Sequence, residues 1–299
     1  MLAGRKAFVT GASGFVGSNL VRALLGNRCE VIALARPSSD LWRLRDLSDQ
    51  ISWRFGELSD VHSLATVAPE DVQDLVFHVA AAGVSPAEDP VRVVATNLYG
   101  SCNLLNLIAL SRQCSRFVFC SSCSVYGQGA YLAEDAALEG SSVYALTKIA
   151  AEALCKAYGA ASRIPWVALR LFTPYGPYES SYRLVAGTIR RALNGQDLSL
   201  TYGEQARDFI YIGDVVRSLI AAALLPGIEN NTINICAGNS VKVKEIVELI
   251  LTVHKANRHR SMGPFHTGST KCGRCLATTR KCGHCCRSSS LFHYSTDCA

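Results

Sequence analysis

A strand, a glycine turn and a helix open this chain, and they restrict its fold more than any other stretch. Lys6–Val9 reads as a short apolar strand, Gly11-x-x-Gly14-x-x-Gly17 as the turn, and Phe15–Leu25 as a helix with an apolar stripe. The first glycine permits the tight turn. The second lets the backbone come close to a pyrophosphate, and the third lets the helix pack on the strand. An anion placed there meets the N–H groups and the positive dipole end of the helix. The alternative is a turn that serves only the fold.

The alternation continues. Predicted strands at Glu30–Ala35, Ile51–Phe55, Asp74–Val79, Arg116–Ser121 and Trp166–Leu171 are interleaved with predicted helices at Val91–Ser111 and Ser142–Tyr158. Such a rhythm implies an α/β fold, a doubly wound (Rossmann) parallel sheet covered on both faces. Past Thr173 it loosens. Pro174–Tyr182 reads as loop, Leu184–Leu193 as helix, Asp208–Ile212 as strand, Val215–Leu225 as helix, Thr232–Cys236 as strand and Lys244–Val253 as helix.

Tyr144 and Lys148 stand one helical turn apart in Tyr-Ala-Leu-Thr-Lys, so they share a helix face. Free tyrosine titrates near pH ~10, and an adjacent cation favours the phenolate and lowers that value. Upstream, Ser121-Ser122-Cys123-Ser124-Val125-Tyr126-Gly127 ends a predicted strand in hydroxyls. In this order the glycine turn, the serines and the Tyr/Lys pair point to a nicotinamide-dependent enzyme. An acidic residue at the end of the second strand would bind the ribose 2′-hydroxyl of NAD. This chain instead has Arg36-Pro37-Ser38-Ser39 there. Arg36 and Ser39 suit a 2′-phosphate, so NADP is the expected cofactor, with NAD possible.

The net charge of +6 accumulates after His254, leaving the first 254 residues close to neutral, so no nucleic-acid partner is inferred. The N-terminus lacks the basic and long apolar regions of a signal peptide. No membrane is expected, because no stretch reaches the ~18 apolar residues of a span. The expected compartment is the cytoplasm. Of 13 cysteines, seven are scattered before His254, as small buried hydrophobes often are, and six crowd into Cys272–Cys298.

These motifs together resemble the extended short-chain dehydrogenase/reductases, the NAD(P)-dependent epimerase/dehydratase family acting on nucleotide sugars. The resemblance spans Arg5 to Val253. It rests on the glycine turn, Phe77-His78-Val79-Ala80-Ala81, Asn97, Ser122 to Gly127 and Tyr144-x-x-x-Lys148. It also rests on Leu169 to Pro177 and on Arg207-Asp208-Phe209-Ile210-Tyr211-Ile212-Gly213-Asp214-Val215. The resemblance implies catalytic roles for Ser122, Tyr144 and Lys148. Tyr144 would be the acid/base, Lys148 would hold the nicotinamide ribose and lower the tyrosine pKa, and Ser122 would bind the substrate oxygen. It implies cofactor contacts at Gly11, Ser13, Gly14, Phe15, Val16, Gly17, Glu57, Leu58, Ala80, Ala81 and Asn97. Substrate would meet Ser122, Thr173 and Arg207, the last on the diphosphate, with an ion pair to Asp208 as the alternative for Arg207. The expected division is a Rossmann domain over 1–173, a substrate-binding region over 174–254 partly interleaved with the sheet, and a tail over 255–299.

Two departures narrow the reaction. Family 4,6-dehydratases carry Asp-Glu where Cys123 and Ser124 stand, so dehydration is not expected. Many epimerases have Asn at Thr173. With Arg36, these points favour a 4-ketoreductase of a nucleoside-diphosphate 4-keto-6-deoxyhexose. A 4-epimerase with tightly held NAD and a non-catalytic binding protein on the same fold are the alternatives. By resemblance the chain would form a homodimer through the helices near Val91–Ser111 and Ser142–Tyr158.

After His254 the chain changes character. Cys272-Gly273-Arg274-Cys275 and Cys282-Gly283-His284-Cys285 look like zinc knuckles, but six residues between the pairs fall short of the ~15–20 of a zinc ribbon. Codon degeneracy lets Gly263–Gly283 be read in another frame as a run containing Pro-Tyr-Arg and Asp-Asn, which resembles the C-terminal segment of these enzymes. The expectation is a frameshift near His254–Asn257, with a basic tail and a zinc site as alternatives, and no metal among the catalytic and binding residues.

Overall fold

The computed structural model describes residues 1–72, 74–83, 88–198 and 202–253. The frameshift, zinc and basic-tail readings therefore lie outside the described residues. The central sheet is built from β1 (Lys6–Thr10), β2 (Glu30–Ala35), β3 (Ile51–Phe55), β4 (Asp74–His78), β5 (Cys114–Ser122) and β6 (Trp166–Leu171). After β7 (Thr173–Tyr175) and β8 (Ala206–Tyr211), the chain returns to it with β9 (Asn231–Ile235). The order is β3-β2-β1-β4-β5-β6-β9, and each neighbouring pair is parallel. The strand order reverses at β1, which opens a crevice at the C-terminal ends of β1 and β4.

Alternate strand residues face opposite layers, and the two cores follow that alternation. Ala7 and Val9 of β1, with Val118 of β5, join α1 (Phe15–Gly26) and a later helix, Ile212–Leu224, through Leu20, Leu24, Val215 and Leu219. Phe8 and Phe117 face the other layer. There α2 (Pro90–Val94), a π-turn (Ala95–Tyr99) and α3 (Gly100–Ser111) run on as one helix beside α4 (Val143–Ser162). The doubly wound architecture is as the sequence implies. One expectation is corrected. Pro90–Ser111 is 22 residues long and apolar enough, by length and composition, to cross a membrane. Here Leu104, Leu105 and Ile108 of that helix pack against Val76 and Phe117 of the sheet.

After β6 a smaller unit forms. Here β7 pairs in parallel with β8, and β8 pairs antiparallel with β10 (Ser240–Lys242). Val185 of α5 (Leu184–Leu193), Phe209 of β8, and Val247 and Leu251 of α7 (Val243–Val253) make its core. The helix Ile212–Leu224 is α6. The sequence reading made Pro174 the start of a loop, whereas it lies in β7. Proline has no N–H to give a ladder, and β7 is an edge strand of this sheet, where that loss is tolerated.

A buried polar chain fixes the crevice. Thr10 Oγ1 lies 2.7 Å from His78 Nδ1, and His78 Nε2 lies 2.9 Å from Ser101 Oγ. Ser101 gives its proton to the Asn97 carbonyl at 2.5 Å. Nε2 of His78 must then donate to Ser101, so Nδ1 accepts from Thr10, whose oxygen is left to accept from the Ala80 N–H at 3.3 Å. The histidine is neutral: burial, aided by the Lys148 charge, lowers its pKa from 6.5 to about 3. A proton bound by the unfolded chain below pH 6.5 is refused by the folded chain until about pH 3, so stability falls as pH drops through that window. The slope from this one group approaches about 1.4 kcal/mol per pH unit. His78→Gln should therefore flatten the dependence of urea-unfolding free energy on pH between neutrality and mild acid. Equal slopes for wild type and variant would contradict the neutral, buried histidine.

Candidate active site

The glycine turn is shaped by contacts no other residue would allow. A Cβ on Gly11, which sits at φ +70°, would lie 2.5 Å from the Ala80 nitrogen. One on Gly17 would lie 2.1 Å from the Gly11 carbonyl oxygen. Gly14 caps α1 without a side chain, and a Cβ there would meet only the Gly11 oxygen at 3.2 Å. The face above Gly14 is thus kept clear, and the first N–H groups of α1 carry no side-chain cap. This cradle fits a dinucleotide pyrophosphate. Phe15 and Val16 pack partly into the core below it, and the Ser13 carbonyl accepts from Arg43 Nη1 at 3.2 Å.

Ser122 ends β5, and Tyr144 lies in the first turn of α4 behind the Ser142 cap, whose hydroxyl accepts from the Ala145 N–H. The two hydroxyls share a hydrogen bond. Ser122 also accepts from Ser124, from its N–H at 3.2 Å and its hydroxyl at 3.0 Å. Lys148 is 2% exposed, so the pair is no surface helix pair. Its ammonium donates to the Cys120 carbonyl at 2.8 Å and sits 4.8 Å from the Phe119 ring centre and 5.8 Å from that of Tyr144.

That geometry corrects an expectation. Burial pushes the Tyr144 phenol up from its ordinary value, the Ser122 hydrogen bond and the Arg183 charge work downward, and burial wins. Lys148, held against Cys120 and over the tyrosine ring, is not what lowers it. Burial likewise pulls the Lys148 pKa down.

Asn97, for which the resemblance implies a cofactor contact, has a structural role in the fold. It is 2% exposed. Its Oδ1 accepts from the Ala82 N–H at 2.8 Å, while Nδ2 donates to the Ala82 carbonyl at 2.9 Å and to Thr147 Oγ1 at 3.0 Å. Both amide protons are committed, so Asn97 clamps the chain after β4 to α4, one residue from Lys148. The π-turn that carries it offsets its side chain from the regular helix face. Ala80 backs the glycine turn, and Ala81 is exposed on the same segment. Leu58 is a core residue whose carbonyl accepts from Asn103 at 2.9 Å. Glu57 is half-buried beyond β3, its N–H given to Ser63 Oγ. Arg36 is exposed beyond β2, with its N–H 3.1 Å from Ser39 Oγ.

Thr173 opens β7, and Arg207 lies on β8 opposite Val241. The Arg207–Asp208 ion pair is excluded. Neighbouring strand residues face opposite sides, and the fully buried Asp208 accepts from the Ala237 and Gly238 N–H groups at 2.7 Å each.

Sequence reasoning missed the support beneath this site. Arg170 of β6 makes a double hydrogen bond to Glu152 of α4, at 2.9 and 2.6 Å, with both side chains nearly buried. Ser121 donates to the same carboxylate, and Arg170 reaches the Tyr126 hydroxyl at 2.7 Å. The pair locks α4, which carries Tyr144, to β6, and the Ser121 bond extends the tie to β5, which ends in Ser122. Removing one partner of such a buried pair costs about 3–5 kcal/mol. The only local signal was a glutamate four residues after Lys148.

Comparison with known proteins agrees with this geometry. Residues 7–236 match the model of the NAD dependent epimerase/dehydratase family. The chain is 32% identical over 272 residues to an uncharacterized UDP-glucose epimerase, YtcB, of Bacillus subtilis, covering 86% of this chain and 85% of that one. It is 28% identical over 261 residues to a GDP-6-deoxy-D-mannose reductase of Pseudomonas aeruginosa, covering 83% and 80%. The structure of MoeE5 in complex with UDP-glucose and NAD superposes with a TM-score of 0.78 at 28% identity, covering 92% of this chain and 90% of that one. With the glycine cradle, the Ser122–Tyr144 pair and the seven-stranded sheet in place, the chain belongs to the NAD-dependent epimerase/dehydratase family.

Proposed function

We propose that this protein moves a hydride between C4 of a nucleoside-diphosphate sugar and a nicotinamide cofactor, as a 4-epimerase. The joined Ser122–Tyr144 hydroxyls beside the glycine cradle carry the reading. A bound nicotinamide supplies hydride acceptance and return. Ser122 and Tyr144 hold the sugar oxygen, and Tyr144 takes its proton as the carbonyl forms and gives it back as the carbonyl is reduced. Lys148, whose ammonium gives one bond to the Cys120 carbonyl, is assigned to the nicotinamide ribose through its remaining N–H groups. Arg207 on β8 is assigned to the diphosphate, a bidentate task for a guanidinium. The likeness to YtcB supports epimerisation.

A 4-ketoreductase is the second reading, favoured by Arg36 and Ser39. Arg36 is exposed at the end of β2 and its backbone N–H bonds the Ser39 hydroxyl, so an arginine and a serine suited to a 2′-phosphate stand in one turn, and the likeness to a deoxysugar-nucleotide reductase points the same way. Titration of nicotinamide fluorescence separates the two. NAD retained through purification and exchanged only slowly means the epimerase. NADPH preferred over NADH, with the preference reversed in Arg36→Glu, means the reductase.

Tyr144→Phe should lower kcat by roughly 10²–10⁴-fold while leaving the affinity for NADH unchanged. Turnover within a factor of two of wild type would remove Tyr144 from the mechanism.

We also assign a homodimer to the outer faces of α2, α3 and α4. Val91, Tyr99 and Leu146 are 74%, 60% and 56% exposed there, a run of apolar side chains on two neighbouring helices. Leu146→Glu should yield a monomer by light scattering. A wild type that is monomeric at micromolar concentration would rule this assignment out.

A further inference from the structure

The loop after β7 touches both halves of the cleft. From Gly176 it crosses to the glycine turn, and it ends at Arg183, which caps α5. Three bonds from one side chain hold its near end. Arg43 Nε donates to the Tyr178 carbonyl at 2.9 Å, Nη2 donates to Ser180 Oγ at 3.1 Å, and Nη1 donates to the Ser13 carbonyl of the glycine turn at 3.2 Å. The guanidinium lies 4.5 Å from the Trp42 ring centre. Asn19 of α1 adds a bond to the Pro177 carbonyl at 3.0 Å, and Arg22 lies 4.6 Å from the Tyr178 ring centre.

Tyr178 itself sits at φ +69°. A bulky residue in the left-handed region is strained, and it persists only where its surroundings over-determine it. Here the contacts that do so come from the cofactor side of the cleft: Arg43 on the carbonyl and Arg22 on the ring. At the far end Arg183 is bound through Nε to Glu179 at 2.9 Å, and its positive charge reaches the Tyr144 phenol. The loop is thus a physical link between the pyrophosphate cradle and the acid/base.

Resting on the nucleotide-sugar reading above, we propose that Arg43 is a positioning residue that couples the two binding events by latching the loop 177–180 to the phosphate-binding turn. An anion on the glycine turn attracts the guanidinium bonded to the Ser13 carbonyl. That keeps Tyr178 and Ser180 latched, and with them the start of α5 at Arg183, whose charge reaches Tyr144. Cofactor and sugar nucleotide then each tighten the other, by the same factor in both directions.

The test is direct binding, not turnover. By calorimetry on the full chain, UDP is titrated with and without saturating NADH, and NADH with and without saturating UDP. If purified protein carries nicotinamide nucleotide, it is first stripped. The wild type should show mutual tightening of at least about 5-fold. In Arg43→Gln the factor should fall to near 1 while both ligands still bind. Ser180→Ala, which deletes a single bond from the latch and leaves the core untouched, should lie between the two and guards against misfolding of the first variant. Wild-type coupling retained in Arg43→Gln, or no coupling in a wild type that binds both ligands, overturns the latch alone. A wild type that binds neither ligand overturns the nucleotide-sugar reading and the latch together.

Discussion

The approach of the glycine turn to the end of β4 is the constraint on which the rest of the site depends. Gly11 rests on the Ala80 backbone so closely that a single methyl would collide with it. That contact sets where α1 begins, and hence where its N–H groups point. It also sets the height of the Thr10–His78–Ser101 chain, because Thr10 and His78 are partners across the β1–β4 ladder. From Ser101 the chain of bonds passes to Asn97 and then to Ala82 and Thr147. A backbone clearance at the cofactor cradle is thereby transmitted to the helix that carries Tyr144 and Lys148.

Burial dominates the electrostatics of that helix. A phenol and an ammonium one turn apart would help each other in water. In the protein both lose hydration, and each is driven toward its neutral form. Groups from other elements act against that burial: a hydroxyl from β5 and, more weakly, a guanidinium from the loop before α5 act on the phenol, and a carbonyl from β5 holds the ammonium. The Glu152–Arg170 pair matters for the same reason. It is strong only because it is nearly dry, and it fixes the distance between α4 and the strands β5 and β6.

Much of this was readable in the chain. The glycine spacing, the strand–helix rhythm, Ser122 and the Tyr144/Lys148 pair are local patterns, and local patterns survive in a linear sequence. Pro174 misled because its effect depends on whether its strand is central or at an edge, which is a property of the sheet. Asn97 was found, but its bonds to Ala82 and Thr147 were not. Its helix looks regular from periodicity alone, and the π-turn that aims the amide at Ala82 and Thr147 leaves no mark on the spacing of apolar residues.

The sequence by itself determined the fold class, the cradle for a phosphate and the hydroxyl–phenol–amine set, because each follows from residue type at short spacing. Tertiary structure alone decided which charge reaches Tyr144, that Asp208 turns away from Arg207, and that Arg43 joins the glycine turn to the loop after β7. These contacts link segments far apart in the chain. Strand order and the crossing of elements over the sheet bring them together, and no run of neighbouring residues encodes that.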